Sequence, residues 1–521
     1  MRVKLYVESV YPNPPGVLIM GSVYIDGIGM TKFEKSDLNL KSLLVKAGRE
    51  ALSVSKYPEP QAIFIGTMNP EEFTGTGNIG VLTADALGLL GIPSIRVETA
   101  SSSGAAVFSV AYAAVASGRF KNVLVIAGEK MTHLPTAKTT RILAEVIEQR
   151  ERETGGTMPA LAAMITQVYM GRFKIPQRRM EKILSSVAIK NHFNGSLNPL
   201  AQFQKRITFE DYKESRFVSE PLRLYDCSPI TDGAAALVLT SEKTDIRVLG
   251  IGQGTDTLSV SHRSSLSSFM ATRIAAKEAY DMAGIGPKDI CFAEVHDAFT
   301  SFEIINSEDL GFFEEGNGWE AVEDGITQID GQFPINPSGG LKSRGHPVGA
   351  SGLAQVVESV RQMRGEVDAK RQVGKTDIAL THSIGGLGNN NSVIILEKSK
   401  ENIRPTQRTS FYTLPIHIPR TTDDIRIESV EGILETFTVL HVPPEGFHSP
   451  LILGFVQVEG GRRLLARAMF LGKHHLSERV KVEREGNIYL FRKIGLMEKF
   501  KYYLHLIGKK TKGLRSLPFH S

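Results

Sequence analysis

Gly339-Gly340-Leu341-Lys342-Ser343-Arg344-Gly345-His346-Pro347-Val348-Gly349-Ala350-Ser351-Gly352 places five glycines and one histidine in a single turn-forming stretch. Glycine lets a backbone turn tightly and approach a ligand closely, and the apolar run that follows has helical spacing. The stretch is a candidate active-site loop, with His346 its candidate catalytic group. By itself the same pattern also describes a Gly-rich connection with a solvated histidine, so the rest of the chain decides between the two.

Outward from that loop the chain reads as α/β. Upstream, 247–250 predicts a strand, 271–283 a helix and 290–295 a strand that ends at His296-Asp297-Ala298-Phe299. Downstream, 352–364 predicts a helix, and 377–381 and 391–397 strands, with Ser383-Ile384-Gly385-Gly386 between them. The first half has the same order. Residues 22–29 predict a strand, 40–54 a helix, 62–66 a strand and 95–98 a strand; the small-residue turn 99–104 then feeds the helix 105–117 and the apolar strand 122–128. Continuous apolar strands are expected where helices cover both sheet faces. A small-residue turn that feeds an apolar helix in each half predicts an internal duplication.

The remaining segments bracket this core. Residues 1–20 carry Pro12, Pro14 and Pro15 and read as an N-terminal extension. The expected halves are 21–245, with a mostly helical cap at about 130–220, and 246–398, with 232–236 read as a tight packing turn before a strand at 237–240. Residues 399–424 read as a linker and 425–495 as a small all-β domain of OB type, from strands expected at 432–442, 450–459, 462–470 and 487–492. Residues 496–521 form a basic tail.

Composition excludes several classes. Hydrophobic residues make up 41% and charged residues 22%, as in ordinary globular domains. A net charge of +5 does not argue for nucleic acid. No long apolar run suggests a membrane span and no leader pattern opens the chain. Cys227 and Cys291 are too few for a disulfide framework, and the histidines show no metal spacing, so a cytoplasmic protein without a metal is expected.

Four stretches, 97–104, 296–299, 339–352 and 381–388, each end a strand, where α/β enzymes gather their chemistry. With Leu222-Arg223-Leu224-Tyr225-Asp226-Cys227-Ser228-Pro229-Ile230-Thr231-Asp232-Gly233 between them, their order resembles the thiolase superfamily, most closely the archaeal and sterol-carrier-protein types. Thr438-Val439-Leu440-His441-Val442-Pro443-Pro444-Glu445-Gly446-Phe447 resembles the OB-fold domain that accompanies archaeal thiolases, here fused and without the cysteines of its usual zinc ribbon. The resemblance implies a duplicated five-layer αβαβα thiolase fold with a C-terminal OB-fold domain. It implies acyl-CoA as substrate, no bound cofactor and a homodimer.

At residue level the resemblance implies a cysteine nucleophile where this chain has Ser101 and an acid–base cysteine where it has Ser383. A helix start lowers a thiol pKa, whereas a serine hydroxyl needs an adjacent base. His346 matches the histidine that activates the nucleophile, and His296 opens the loop that faces a thioester oxygen. Gly345, Gly385, Gly386 and Phe299 are the implied substrate-binding positions, and His382 is weighed as a base for Ser383 against a structural role. Three functions follow: an acyl-CoA C-acyltransferase of thiolase type, an aldolase acting on a CoA thioester, or a noncatalytic acyl-CoA-binding scaffold for a thiolase or an HMG-CoA synthase-like partner.

Overall fold

Alternation of apolar strands and half-apolar helices builds the core. The computed structural model describes residues 21–399, 428–444 and 446–494; the expected extension, most of the linker and the basic tail lie outside them. The first half runs β1 (Tyr24–Met30), α1 (Leu40–Ser53), β2 (Ile63–Gly66), α2 (Pro70–Thr74), α3 (Ile79–Leu87), β3 (Ser94–Val97), α4 (Ser103–Ala116) and β4 (Asn122–Glu129). A cap follows, made of α5 (Thr136–Leu143), α6 (Gln149–Glu153), α7 (Met158–Arg172), α8 (Gln177–Ser196) and α9 (Phe209–Glu214) with the short strands β5 (Phe217–Ser219) and β6 (Leu222–Arg223). The chain returns to the core in β7 (Gly233–Thr240). Residues 233–236, expected as a turn, already belong to this strand, because four small side chains let it lie flat against β4.

The second half repeats the plan with β8 (Ile246–Thr255), α10 (Met270–Ala283), β9 (Phe292–Glu294), α11 (Thr300–Asp309), α12 (Gly318–Glu323), α13 (Gly340–Arg344), α14 (Ser351–Arg364), β10 (Ile378–Gly385) and β11 (Asn390–Lys398). The sheet order is β3-β2-β4-β7-β1 in one half and β8-β11-β10-β9 in the other, joined where β1 pairs with β8. α4 and α14 pack on each other between the two halves of the sheet, while α1 and α10 cover the outer faces. This is the five-layer αβαβα arrangement expected. The duplication shows in detail: Gly27 and Gly29 let β1 approach the backbone of α1, and Gly250, Gly252 and Gly254 do the same for β8 beneath α10.

Among the described residues five strands form the C-terminal barrel: β12 (Ser429–Leu440), β13 (Leu451–Val458), β14 (Arg463–Ala468), β15 (Arg479–Glu485) and β16 (Ile488–Lys493). They close in the order β12-β13-β14-β16-β15-β12, with β14 and β16 parallel, an OB-like barrel. Leu434, Val456, Val480, Val482 and Phe491 fill it. The barrel is seated on the cap. Leu440 pairs with Ser219, the Gln167 amide donates to the Phe437 carbonyl at 2.6 Å, and Leu440, Leu451, Leu453, Phe455 and Leu465 share one apolar cluster with α7 and α8. Among the described residues no helix is long and apolar enough to cross a membrane.

Candidate active site

The four stretches singled out in the sequence meet where the N-termini of α4 and α14 abut. Ala100 takes a positive φ of 54°, a sharp strand-to-helix turn that presents Ser101 just before α4. Ser102 Oγ lies 2.8 Å from the Thr99 carbonyl and 3.0 Å from the Asn390 carbonyl, which brings this turn against the 385–390 loop. Gly385 makes that approach possible: a Cβ there would fall 2.7 Å from both Ser102 Oγ and the Asn390 carbonyl, and closer still to the Thr99 carbonyl. A Cβ on Gly352, at the start of α14, would lie 2.7 Å from the Ala105 amide and 2.9 Å from Ser383 Oγ. Ser101 and Ser383 are both buried, and Ser383 Oγ has no hydrogen-bond partner among the described residues.

The Gly/His stretch contains one more element than expected, the single helical turn α13. Gly345, with φ 114°, then reverses the chain against Thr231 and Phe33. Asp297 anchors the turn: its carboxylate accepts from the Leu341 amide at 2.6 Å, the Lys342 amide at 3.3 Å and the Asn191 side chain at 2.7 Å. The loop that carries His296 and the loop that carries His346 are therefore one hydrogen-bonded unit. Beneath it lies a buried polar layer, in which Arg344 pairs with Glu294 at 3.3 Å and Lys190 pairs with Glu303. Burial pushes the Glu294 and Asp297 carboxyls upward, to about 7.

His346 Nδ1 lies 2.7 Å from Ser351 Oγ, and Ser351 Oγ lies 3.1 Å from the Pro347 carbonyl. A hydroxyl donates once. The Pro347 carbonyl also accepts from the Ala350 and Ser351 amides, at 2.8 and 3.0 Å, so the hydroxyl is free to take either sense toward His346; when Nδ1–H donates to Ser351, Nε2 of His346 is a bare base. His296 is held the other way: its Nδ1 accepts from the Ile384 amide at 3.2 Å, so its proton resides on Nε2 and can be donated. The rings are 5.1 Å apart and perpendicular. Desolvation is the main cause that lowers the pKa of His346 to about 3 and that of His296 well below the usual value, so both are neutral at neutral pH.

Other sequence candidates fall elsewhere. His382 donates or accepts at Thr272 Oγ1, 3.0 Å away, and burial depresses its pKa to about 3; no hydrogen bond joins it to Ser383, whose side chain leaves the opposite face of β10. Phe299 packs edge-on against Phe302 in the cap cluster. Gly386 turns the 385–390 loop with φ 61°. Cys227 is half-buried, and desolvation raises its thiol to about 12. Among the described residues no three metal-ligating side chains cluster. Asp297 and Ser351, which fix the two histidines, lay unremarked within quoted stretches; polar side chains flanking a glycine-rich turn were the available signal.

Residues 23–243 match the thiolase N-terminal domain and residues 252–398 the thiolase C-terminal domain-like family, together well over half the chain. The chain is 40% identical to an acetyl-CoA acetyltransferase of Methanothermobacter thermautotrophicus, over 73% of its own length and 100% of that protein. A monomeric SCP2-thiolase-like protein type 1 from Mycobacterium smegmatis superposes with TM-score 0.72 at 15% identity, covering 91% of this chain and 99% of that one. An Ltp2-ChsH2(DUF35) aldolase superposes with TM-score 0.64 at 23% identity, covering 74% of this chain and 99% of that one. Two halves with one strand plan, four converging loops and these matches place the chain in the thiolase superfamily.

Proposed function

We propose that the chain is an acyl-CoA enzyme of thiolase type that makes or breaks the carbon–carbon bond next to a thioester. The observation that carries this reading is the perpendicular pair His296 and His346, 5.1 Å apart: His296 offers Nε2–H, and His346, with Nδ1–H given to Ser351, offers a bare Nε2. A thioester oxygen that accepts from His296 is polarised toward an enolate, and His346 accepts the proton that must leave. In acyl transfer Ser101 gives its proton to His346 and attacks the β-carbonyl; the Cα–Cβ bond breaks, and its electrons form the enolate, which takes that proton at carbon. The acyl group then passes from serine to the thiol of CoA, whose proton returns to the serine oxygen. The acetyl-CoA acetyltransferase relative supports this version.

A second version is favoured by Ser101, whose hydroxyl makes no hydrogen bond to a base among the described residues. In a retro-aldol cleavage His346 removes the β-hydroxyl proton, the Cα–Cβ bond breaks, and its electrons form the enolate held by His296, which is then protonated at carbon. No covalent acyl group is needed. Two copies are further proposed to pair along β3, which among the described residues is hydrogen-bonded on one side only and exposes Ile95.

The test is incubation with acetoacetyl-CoA plus CoA and, separately, with 3-hydroxyacyl-CoA thioesters, followed by mass spectrometry of products and protein. Acetyl-CoA with a transient acyl mass on Ser101 supports transfer; a carbonyl compound with a shortened acyl-CoA supports cleavage. Neither product, with unaltered CoA binding in His346→Asn, overturns the enzyme reading and leaves the scaffold.

A further inference from the structure

Residues 256–263, which follow β8, touch three parts of the molecule. Toward the cap, Glu151 accepts from Ser259 Oγ at 2.8 Å, from the Val260 amide at 3.1 Å and from the Ser261 amide at 2.8 Å. Toward the site, the Asp256 amide donates to the Asn389 carbonyl at 3.0 Å, and Arg263 Nη1 donates to the Leu387 carbonyl at 2.7 Å. Toward the barrel, Arg463 Nη1 donates to the Arg263 carbonyl at 2.9 Å while Glu435 grips the Arg463 guanidinium.

Arg263 is 4% exposed, and its Nε and Nη2 have no hydrogen-bond partner among the described residues; Asp256 stands 3.9 Å from Nε. A buried guanidinium with unspent donors is costly, and it stays in place only where its surroundings fix it. What it holds is the 385–390 loop. That loop begins beside the Ile384 amide, which orients His296, and ends at the Asn390 carbonyl, 3.0 Å from the Oγ of Ser102 next to Ser101.

We propose that Glu435, Arg463 and Arg263 form a positioning relay through which the seated barrel holds the 385–390 loop, and with it the His296 ring and the Ser101 turn, in working geometry. The barrel is then a structural part of the active site although none of its residues touches substrate. The functional weight of the relay rests on the role given above to His296; its mechanical part does not.

The experiment uses the full-length chain and compares wild type with Arg463→Met, Arg463→Lys and Arg263→Met. Amide hydrogen exchange is read in peptides spanning 384–390 and in barrel peptides spanning 429–458, and kcat and KM are measured with any thioester that is turned over. Arg463→Met is expected to speed exchange at 384–390 about tenfold, the scale of one lost buried hydrogen bond, with the barrel peptides unchanged. Arg463→Lys, which keeps a donor, restores protection, and kcat falls in Arg463→Met while KM holds. Arg263→Met gives the same local loosening without touching the barrel, so the relay is tested even if Arg463→Met unseats it. Unchanged exchange at 384–390 in Arg263→Met, or loosening that spreads equally through the barrel without rescue by lysine, overturns the relay. An inactive wild type with the expected exchange pattern instead counts against the acyl-CoA reading.

Discussion

His296 and His346 face each other at 5.1 Å and 89°; Nδ1 of His296 accepts from the Ile384 amide, and Nδ1 of His346 lies 2.7 Å from the Ser351 hydroxyl. With Nδ1–H of His346 given to Ser351, as the proposed chemistry requires, the two neutral imidazoles form an acid–base pair without either being charged. Burial keeps them neutral, so the site does not need a protonated histidine in its resting state. In the proposed chemistry Ser351, by accepting from Nδ1–H, keeps Nε2 of His346 basic. In Ser351→Ala that hold is released, and about half of the imidazole is expected to present Nε2–H where a base is needed. Turnover should fall roughly tenfold with KM little changed, and Ser351→Thr, which keeps the hydroxyl, should recover most of it.

Ser101→Cys puts a thiol at a sharp turn before α4, where partial positive charge favours thiolate. The variant is expected to gain an acyl mass on residue 101 with acetyl-CoA and to release CoA faster than wild type. Alkylation gives an independent reading. The introduced thiol should react with iodoacetamide at neutral pH, while Cys227, with its thiol raised to about 12 by burial, stays unlabelled in both proteins. A cysteine at 101 as inert as Cys227 would place that turn out of contact with thioesters.

Gly385→Ala tests the contact between the two loops. The added carbon meets two carbonyls and the Ser102 hydroxyl, and backbone atoms do not step aside. A loss of about 2–3 kcal/mol is expected by chemical denaturation, typical of overpacking at a rigid site. Gly374→Ala is the control: nothing lies within 4 Å of its Cβ, and its stability should change by less than about 0.5 kcal/mol.

Much of the core was legible because it follows simple periods. β4 is a continuous apolar run, and α14 carries an apolar stripe that ends in a glycine C-cap. α11 was not legible. Thr300-Ser301-Phe302-Glu303-Ile304-Ile305-Asn306-Ser307-Glu308-Asp309 has the composition of a surface helix, yet Thr300 through Glu308 are buried. Its polarity is spent inside the protein: Glu303 on Lys190, Asn306 on Thr272, Glu308 on Tyr169 and Asp309 on Ser268. β15 escaped for the opposite reason, since only Val480 and Val482 of its seven residues point into the barrel. The site residues were legible as types at strand ends. Their orientation was not, because the tautomers of His296 and His346 depend on an amide and a hydroxyl that only the fold brings near.

His382 offers a pH test outside the proposed chemistry. Its pKa is pushed to about 3 in the folded chain, against roughly 6.5 when unfolded. As the pH falls below 6.5 the unfolded state binds a proton that the folded state refuses, so this residue costs stability on acidification. Glu129 and Asp309, both raised to about 7 by burial, act in the opposite direction: the folded state takes up their protons first, and their contribution is lost as the pH rises through 7. Comparison with His382→Gln isolates the histidine from these carboxyls. Between pH 7 and 4.5 wild type should lose on the order of 2 kcal/mol more than the variant, measured by urea denaturation. Parallel losses in the two proteins would mean that His382 is protonated in the folded chain.

The exposed edge of β3 sets the last test. Among the described residues β3 pairs only with β2, in parallel, so its outer N–H and C=O groups face away from the sheet. Ile95 on this strand is 46% exposed and Val110, on the adjoining α4, is 41% exposed. An unpaired edge with apolar side chains beside it invites a second strand. A second copy pairing antiparallel across a two-fold axis would satisfy both edges at once. Ile95→Lys places a charge against its own symmetry mate in such a dimer, so sedimentation should show wild type as a dimer and the variant shifted to monomer at micromolar concentration. The superposing Mycobacterium smegmatis protein is described as monomeric, so the dimer does not follow from the fold. A wild-type chain that sediments as a monomer would mean that β3 stays unpaired and that each site is complete within one copy.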